Sequence, residues 1–361
     1  MKLRVARGEL LDALAVVTKA VPARPTSAVL SGVLITATAE GGKVEIRATD
    51  LEMSIRAEIL GNVEEAGSLV VAGKLLYDIV RSMPDSAVEI EGTDGKSPQV
   101  TVSSGKAKFK LRGMSVRAFP DFPEVNPEQR VQLTADVFSS LVSQVVRATS
   151  DSDSRPLLQG ILVAVAGTEI TATATDTYRI AEAVQQAEKA TGDFQVVLPR
   201  RVMDDVARAS SDSVKIGVSE RQVAIKFGCF TYVSRVVEGQ YPNYRAMIPA
   251  DGTTTFMVDR SELIEVVKRV AIVAPKDSVV QLHVLENRLR LSTKNTDVGD
   301  AAEELEIMSA GEPLEIAFAI SILLDAMESS TADELEFAGN GSAKPATLRA
   351  AGYLHLIMPR R

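Results

Sequence analysis

The chain repeats itself three times, and this repetition constrains its fold more than any other feature of the sequence. Each repeat opens with an alternating run, a polar break and then apolar residues at helical spacing. The openings are KLRVARGELLDALAVVTKAV at 2–21, VQLTADVFSSLVSQVVRATS at 131–150 and TFMVDRSELIEVVKRVAIVA at 255–274. Their apolar stripes are Leu10, Leu14, Val17; Phe138, Val142, Val145; and Leu263, Val267, Val270. We therefore expect each repeat to begin with a strand and an amphipathic helix.

Two further landmarks follow each opening in the same order. A strand-like run ends in Ala-Thr-Asp at 48–50 and at 174–176, and in Asn-Thr-Asp at 295–297. A second strand then leads into a second helix in LVVAGKLLYDIV, QVVLPRRVMDDV and IAFAISILLDAM. Because three landmarks recur at nearly constant offsets, we predict three copies of one domain, with boundaries at 1–129, 130–250 and 251–361.

Each copy is itself doubled, since a strand–helix–strands pattern occurs twice within it. Two short amphipathic helices among about eight strands can cover one face of an antiparallel sheet. The predicted fold class is therefore α+β, with two helices on antiparallel sheets in each of three domains.

The residue inventory excludes several kinds of site. One cysteine, Cys229, cannot form a disulfide framework or a multi-cysteine zinc site, and only two histidines are present, His283 and His355. No stretch fits a phosphate-cradling loop, so we predict no metal and no cofactor. Cys229 falls within the strand-like run AIKFGCFTYVSRV, which predicts a buried, packed thiol.

Charge and hydropathy indicate the compartment but leave the partner class open. No apolar run approaches the ~20 residues of a membrane-spanning helix. The opening MKLRVARGEL lacks the apolar core of a signal peptide, so we expect a cytoplasmic protein without a membrane partner. The net charge of −8 disfavours phosphate binding by the molecule as a whole. Most of the excess negative charge, however, lies in residues 251–361, which hold 11 Lys and Arg against 18 Asp and Glu, so the rest of the chain can still carry a basic surface.

An ordered set of segments carries a family resemblance that spans the whole chain. RPTSAVLSGVLI at 24–35 leads to ATDLEM at 48–53, RPLLQGILV at 155–163 leads to ATDTYRIA at 174–181, and VEGQYPNYRAMIP and the terminal YLHLIMPRR follow. This series resembles the bacterial sliding clamp, the β subunit of DNA polymerase III.

The resemblance implies a head-to-tail homodimer that forms a ring of six domains, with helices lining the hole and sheets outside. Such a ring encircles double-stranded DNA without sequence preference and tethers the replicative DNA polymerase for processive synthesis. It is not an enzyme but a processivity factor of the polymerase III holoenzyme, opened by a separate clamp loader. Repair polymerases and other proteins with peptide motifs are further implied partners. The alternatives are a three-domain interaction scaffold without DNA encirclement, or a hydrolase or transferase with an unfamiliar site.

The resemblance assigns three sets of residues, each of which could instead be ordinary surface or core. The DNA-facing candidates are Arg24, Lys74, Arg147, Arg155, Arg200 and Arg201. The candidate groove for partner peptides comprises Leu158, Thr175, Thr177, Tyr178, Arg179, Ile180, Pro242, Ala246, Met247, Leu356, Ile357, Met358, Pro359 and Arg360. The candidate dimer interface brings Phe109 and Leu111, in the basic edge strand KAKFKLR, against Ile272 and Val273 of the acid-rich third domain.

The chain departs from the family pattern at two places in the groove. Many members read Asp-Gly-His-Arg where this chain has Asp176-Thr177-Tyr178-Arg179, and the terminus Met-Pro-Arg-Arg lacks the usual apolar last residues. We expect Tyr178 to narrow the groove mouth and to remove any titration near neutral pH. Asp325 and Glu328 make the last helix of the predicted lining acidic rather than basic.

Overall fold

The structure is a computed structural model that describes residues 1–95, 97–275, 278–295 and 298–360. Thr296 and Asp297 of the third landmark, and the terminal Arg361, lie outside the described residues. The chain forms two compact units, one of residues 1–132 with 209–236 and the other of residues 133–208 with 237–361. No helix of the described part is long and apolar enough to cross a membrane.

Each third of the described chain supplies two α-helices and nine strands, in one repeated order. The first third gives β1 (Lys2–Val5), α1 (Arg7–Val17), β2 (Gly32–Thr38), β3 (Lys43–Thr49), β4 (Met53–Leu60), β5 (Asn62–Glu65), β6 (Gly67–Ala72), α2 (Gly73–Ser82), β7 (Val88–Thr93), β8 (Gln99–Ser104) and β9 (Ala107–Met114). The second gives β10 (Gln129–Thr134), α3 (Ala135–Ser143), β11 (Gly160–Ala166), β12 (Glu169–Thr175), β13 (Arg179–Gln186), β14 (Lys189–Thr191), β15 (Phe194–Pro199), α4 (Arg200–Ala209), β16 (Ser213–Val218), β17 (Gln222–Phe227) and β18 (Phe230–Arg235). The third gives β19 (Thr254–Asp259), α5 (Arg260–Val270), β20 (Val279–Leu285), β21 (Arg288–Asn295), β22 (Gly299–Glu306), β23 (Ser309–Gly311), β24 (Leu314–Ala319), α6 (Ile320–Ser329), β25 (Glu334–Gly339), β26 (Ala346–Ala350) and β27 (Tyr353–Ile357). The α+β class and the threefold repetition are therefore confirmed.

The helices depend on the sheets for their stability. Each has 9 to 11 residues, which is shorter than an isolated helix needs in water. All nine residues of the predicted stripes are buried, with at most 2% of their surface exposed. Burying each such side chain contributes about 1.5–3 kcal/mol, so packing against the sheet holds these helices in place.

In the first unit one antiparallel sheet runs across a repeat boundary. Its consecutive strands are β16, β17, β18, β4, β3, β2, β6, β9, β8, β7, β1 and β5. The pair β18–β4, with Tyr232 opposite Ile55, joins a strand of the second repeat to one of the first. Strand β9 pairs with β8 along its length but with β6 only through Gly113 and Met114. The other edge of β9 over residues 107–112 therefore pairs with no described strand of this unit.

In the second unit the same kind of pairing joins the second repeat to the third. Strands β15, β11, β12, β13, β27, β26, β25, β19 and β23 form one sheet, and β22, β21, β20 and β24 form another. The joining pair is β13–β27, with Ile180 opposite Leu356. Strand β22 ends the smaller sheet, since it pairs only with β21 among the described strands.

The two Ala-Thr-Asp landmarks fold into the same turn. In the first, the Leu51 N–H donates to Thr49 Oγ1 at 3.0 Å and the Met53 N–H donates to Asp50 Oδ1 at 2.7 Å. The equivalent bonds of the second turn run from Thr177 N–H to Thr175 Oγ1 and from Arg179 N–H to Asp176 Oδ1, both at 3.1 Å. The repetition therefore extends to individual hydrogen bonds.

The prediction that Cys229 is a buried thiol is wrong, because its side chain is exposed. Gly228 has a φ of +48° and turns the chain there. The run that looked like one strand is two, β17 and β18, which pair with each other through Phe227 and Phe230. Cys229 lies in the turn between them.

Both repeated turns place a residue with a side chain in the left-handed region, where φ is +77° at Leu51 and +81° at Thr177. Such a conformation costs a non-glycine residue roughly 1–3 kcal/mol. Leu51→Gly should therefore raise the free energy of unfolding by about 1 kcal/mol, even after the entropy that glycine loses on folding. Urea unfolding followed by circular dichroism measures this change.

The matched control is Leu60→Gly, because Leu60 is 68% exposed and Leu51 is 54% exposed, but Leu60 lies in β4 without a positive φ. Leu60→Gly should lower the unfolding free energy by about 0.5–1 kcal/mol. Equal destabilisation by both variants would show that the turn is not strained.

Candidate functional site

An apolar cavity of about 340 Å³ lies in the second unit, beside the β13–β27 pair. Nine predicted groove residues line it: Leu158, Thr175, Thr177, Arg179, Ile180, Pro242, Met247, Leu356 and Met358. Tyr244 and Pro345, which the sequence did not indicate, complete the lining. The structure thus brings together segments that lie up to 200 residues apart in the chain (158 to 358).

Five other predicted groove residues do not line this cavity: Tyr178, Ala246, Ile357, Pro359 and Arg360. Tyr178 is 58% exposed, and its carbonyl oxygen accepts the Met358 N–H at 2.9 Å. The Arg360 N–H donates to the Ala317 carbonyl at 2.8 Å. These backbone bonds fix the end of the chain beside the cavity, and the effect of Tyr178 on the mouth stays a prediction.

The cavity has a fixed floor and adaptable sides. Leu158, Ile180 and Leu356 are buried, and Ile180 and Leu356 belong to one apolar cluster. Met247 and Met358 are 58% and 38% exposed, and methionine side chains adapt to different apolar ligands. An exposed apolar cavity with such sides suits a ligand that inserts bulky apolar side chains.

The same strand that provides Leu356 is anchored from its other face. Tyr353, two positions before His355 on β27, donates its hydroxyl to the Ala326 carbonyl of α6 at 2.5 Å. His355 Nδ1 lies 3.0 Å from that hydroxyl, and complete burial lowers the pKa of His355 to about 3. His355 is therefore neutral at physiological pH and serves packing, not acid–base chemistry.

Tyr244 forms one wall and is held there by hydrogen bonds. Its hydroxyl donates to Glu182 Oε2 at 2.5 Å and accepts from Arg245 Nε at 3.3 Å. Burial, followed by the bond to Glu182, raises the pKa of Tyr244. A signal for this residue did exist in the sequence, because YPNYRAM at 241–247 repeats FPDFPEV at 119–125 and aligns Tyr244 with Phe122. Pro345 lies in a loop and gave no such signal.

Thr177 links the cavity to the loop that carries Arg155. The Arg155 Nη1 donates to Thr177 Oγ1 at 3.1 Å. Arg155 immediately precedes the 3₁₀ turn Pro156–Gln159, which places Leu158 in the cavity floor. The hydroxyl of Thr177 therefore meets a side chain that the family resemblance assigned to DNA.

Two of the DNA-facing candidates are paired with carboxylates. Arg147 Nη1 lies 2.9 Å from Asp325 Oδ1 and 2.8 Å from Glu328 Oε2, and the bond to Asp325 is the main cause of its raised pKa. Arg200 Nη1 lies 2.7 Å from Asp151 Oδ1.

The remaining candidates are exposed, and they are divided between the units. Arg201 is exposed and, together with the paired and half-buried Arg200, lines an open cavity of about 380 Å³ at the start of α4. Arg155 is exposed in the second unit, whereas Arg24 and Lys74 are exposed in the first.

The predicted interface residues lie on two strand edges or next to them. On β9, Phe109 and Leu111 are half-buried, while the intervening Lys108 and Lys110 are exposed. Ile272 is 81% exposed in the 3₁₀ turn Ala271–Val273, which packs beside β22.

Exposed charges of opposite sign occupy these two edges. Lys108, Lys110 and Arg112 project from β9, and Glu304 and Glu306 project from β22. Each edge thus combines apolar side chains with a row of charges, and the two rows are complementary.

Three family profiles match consecutive parts of the chain. The N-terminal domain of the DNA polymerase III beta subunit matches residues 1–123, the central domain matches 132–243 and the C-terminal domain matches 245–361. The beta sliding clamp of Streptomyces coelicolor is 31% identical over 379 residues, covering 100% of this chain and 99% of that protein.

Solved structures agree with this comparison over the full length. The sliding clamp of Bacillus subtilis has a TM-score of 0.95 at 27% identity, covering 100% of this chain and 99% of that one. A sliding clamp of Pseudomonas aeruginosa, solved with griselimycin bound, has a TM-score of 0.93 at 26% identity with the same coverage.

Proposed function

The chain belongs to the family of bacterial β sliding clamps, the beta subunits of DNA polymerase III, and from this premise we propose how its surfaces serve that role. It is a DNA sliding clamp, a non-catalytic processivity factor that tethers a DNA polymerase to its template. The full-length match to three consecutive clamp domains carries this conclusion and favours it over a scaffold without DNA. We keep 1–129, 130–250 and 251–361 as the proposed domain boundaries.

We propose that two copies close a ring head to tail, the edge of β9 in one pairing with the edge of β22 in the other. Strand pairing already joins consecutive repeats within the chain, through β18–β4 and β13–β27. A third joint of the same kind would satisfy the open strand edges. The lysines of β9 would then face Glu304 and Glu306, with Phe109 and Ile272 in the apolar part of the joint.

The ring so formed would encircle double-stranded DNA in the cytoplasm, where replication takes place. The proposed phosphate contacts are Arg24, Lys74, Arg147, Arg155, Arg200 and Arg201, of which Arg147 and Arg200 are partly compensated by carboxylates. A clamp loader would open the ring. Phosphate contacts carry no sequence information, which suits a protein that must slide.

We propose that the cavity beside the β13–β27 pair, called the partner groove below, receives peptide segments of the polymerase, the loader and repair proteins. The lining of the groove supports this proposal, since buried apolar residues form its floor and exposed methionines form its sides. The related clamp of Pseudomonas aeruginosa binds griselimycin, which supports a ligand site on clamps of this family.

Closure of the ring is tested by Ile272→Asp. A charge in a desolvated apolar joint is costly, so the variant should sediment as a single chain at micromolar concentration while the wild type sediments as a dimer. Wild-type protein loaded on circular DNA should stay bound until the DNA is linearised, whereas the variant should not be retained at all. Met257→Asp is the matched control, because Met257 is 50% exposed on β19 of the same repeat. A wild-type mass of one chain would exclude this joint.

Contact with DNA is tested by a triple variant of Arg24, Arg200 and Arg201 to Ala. Each lost phosphate contact should lower the slope of log K against log salt by about 0.9 on duplex DNA, a decrease of about 2.7 if all three touch phosphate. The control removes the same charge from three exposed lysines, Lys215, Lys226 and Lys344. An equal slope in the two triple variants would show that the arginines lie away from the DNA.

The partner groove is tested by Met247→Asp, with fluorescence anisotropy of a labelled peptide copied from the C-terminus of the replicative polymerase of the same bacterium. A carboxylate on the apolar side should weaken binding at least tenfold, because the peptide cannot bury it without cost. Ala246→Asp is the matched control, since Ala246 is the exposed neighbour that does not line the groove. A similar loss in both variants would point to net charge rather than to the groove.

A further inference from the structure

Arg179 lines the partner groove, yet its guanidinium is bound entirely by other parts of the second unit. Its Nε donates to Asp176 Oδ2 at 2.9 Å and its Nη1 donates to Asp325 Oδ2 at 2.7 Å. Its Nη2 donates to the carbonyl oxygen of Arg147. The side chain is only 11% exposed. With every nitrogen engaged, the guanidinium has one orientation, and the stem that faces the groove is fixed with it.

Asp325 is the member of this arrangement that comes from the last helix, α6. One of its carboxylate oxygens binds Arg179 and the other binds Arg147 Nη1 at 2.9 Å. It does not line the groove. Asp325 therefore connects α6 to a groove wall without facing a peptide itself.

The rest of the acidic surface of α6 is occupied by cations. Glu328 lies 2.8 Å from Arg147 and 3.2 Å from Lys268. Burial alone would raise the pKa of Glu328, but the hydrogen bonds and charges of these two cations together hold it below its usual value. The acids of α6 thus serve as counter-charges within the protein.

We propose that Asp325 is a positioning residue for the partner groove, because it holds Arg179 in the conformation that shapes the groove wall. This inference rests on the proposed function of the groove. An arginine side chain loses much rotamer freedom when it is immobilised, and a wall that is already ordered spares the binding peptide that loss. Without Asp325, Arg179 keeps Asp176 and the Arg147 carbonyl, but its Nη1 loses its partner and Arg147 itself loses one of its two carboxylates, so the guanidinium is held less firmly against the groove wall.

The primary test measures peptide affinity by anisotropy with the labelled polymerase C-terminal peptide. Asp325→Ala should weaken binding about three- to tenfold, although Asp325 touches no part of the groove. Glu328→Gln is the matched control on the same helix, since Glu328 contacts Arg147 and Lys268 but not Arg179, and it should change affinity less than twofold.

A double-mutant cycle with Arg179→Ala separates positioning from general damage to the fold. If Asp325 acts through Arg179, Asp325→Ala should have no further effect on affinity once Arg179 is absent. Additive losses would overturn the inference, and so would wild-type affinity in Asp325→Ala. Absence of binding by the wild-type protein would instead reject the groove itself, and the inference with it.

A second measurement needs no ligand. Phenylglyoxal modifies accessible guanidinium groups, and mass spectrometry of the digested protein locates the modified arginines. Arg179 should be protected in the wild type and in Glu328→Gln, and modified several times faster in Asp325→Ala. Equal protection of Arg179 in all three proteins would show that Asp325 does not hold it, whatever the peptide measurements give.

Discussion

The pairing of strands between repeats is the constraint on which the rest of this structure depends. One repeat is a sheet with helices on it, and such a sheet has edges whose N–H and C=O groups need partners. The pairs β18–β4 and β13–β27 satisfy edges between the first and second and between the second and third repeats. Among the described strands, β9 over residues 107–112 and β22 each keep an unpaired edge, as do the sheet-end strands β5, β14, β15, β23 and β24. The proposed joint between two copies would use the same kind of hydrogen bonding that joins the repeats within the chain.

The residues around the partner groove differ from those at the matching turn of the first repeat, although a joint between repeats, β18–β4, lies beside that turn too. Both turns have the same hydrogen bonds, but the residue equivalent to Ile180 is Ser54, which donates to Thr49 Oγ1 at 2.8 Å. Hydrogen-bonded hydroxyl groups are less favourable contacts for an apolar ligand than a buried isoleucine side chain is. The position of Tyr244 is likewise taken by Phe122, which lies under the Arg56 guanidinium at 4.7 Å. Repetition therefore supplies the same turn twice, and substitutions such as Ser54 for Ile180 make the surroundings of the two turns different.

Periodic features were predictable from the sequence because local residues determine them. The apolar stripes of the helices, and the strand that precedes each helix, depend on residues close together in the chain. Their periodicity can therefore be recognised directly in the sequence. The exposure of Cys229 was not foreseen, because a glycine turn divided what looked like one strand.

Most of the groove lining was reached by family resemblance, not by periodicity, since its segments meet only in three dimensions. Tyr244 was missed although its repeat partner was visible, and Pro345 had no pattern to reveal it. The contacts of Arg179 and Arg147 with Asp325 join residues that are 146 and 178 positions apart. Charge pairs at such separations leave no trace in hydropathy or spacing.

The ion pairs of Asp325 and Glu328 change how the acidic charge of α6 is interpreted. An acidic helix in the predicted lining of a DNA channel looks unfavourable if its carboxylates face phosphate. Asp325 and Glu328 instead form ion pairs with Arg147, Arg179 and Lys268. Neither the negative charge of the carboxylates nor the positive charge of these cations is therefore fully available to DNA. Arg200 is partly neutralised by Asp151 in the same way. Affinity for DNA depends steeply on the number of phosphates neutralised, so each arginine that is paired within the protein weakens the expected attraction. The internal ion pairs therefore lower the number of positive charges that a phosphate backbone would meet, which is the direction that the proposed sliding requires.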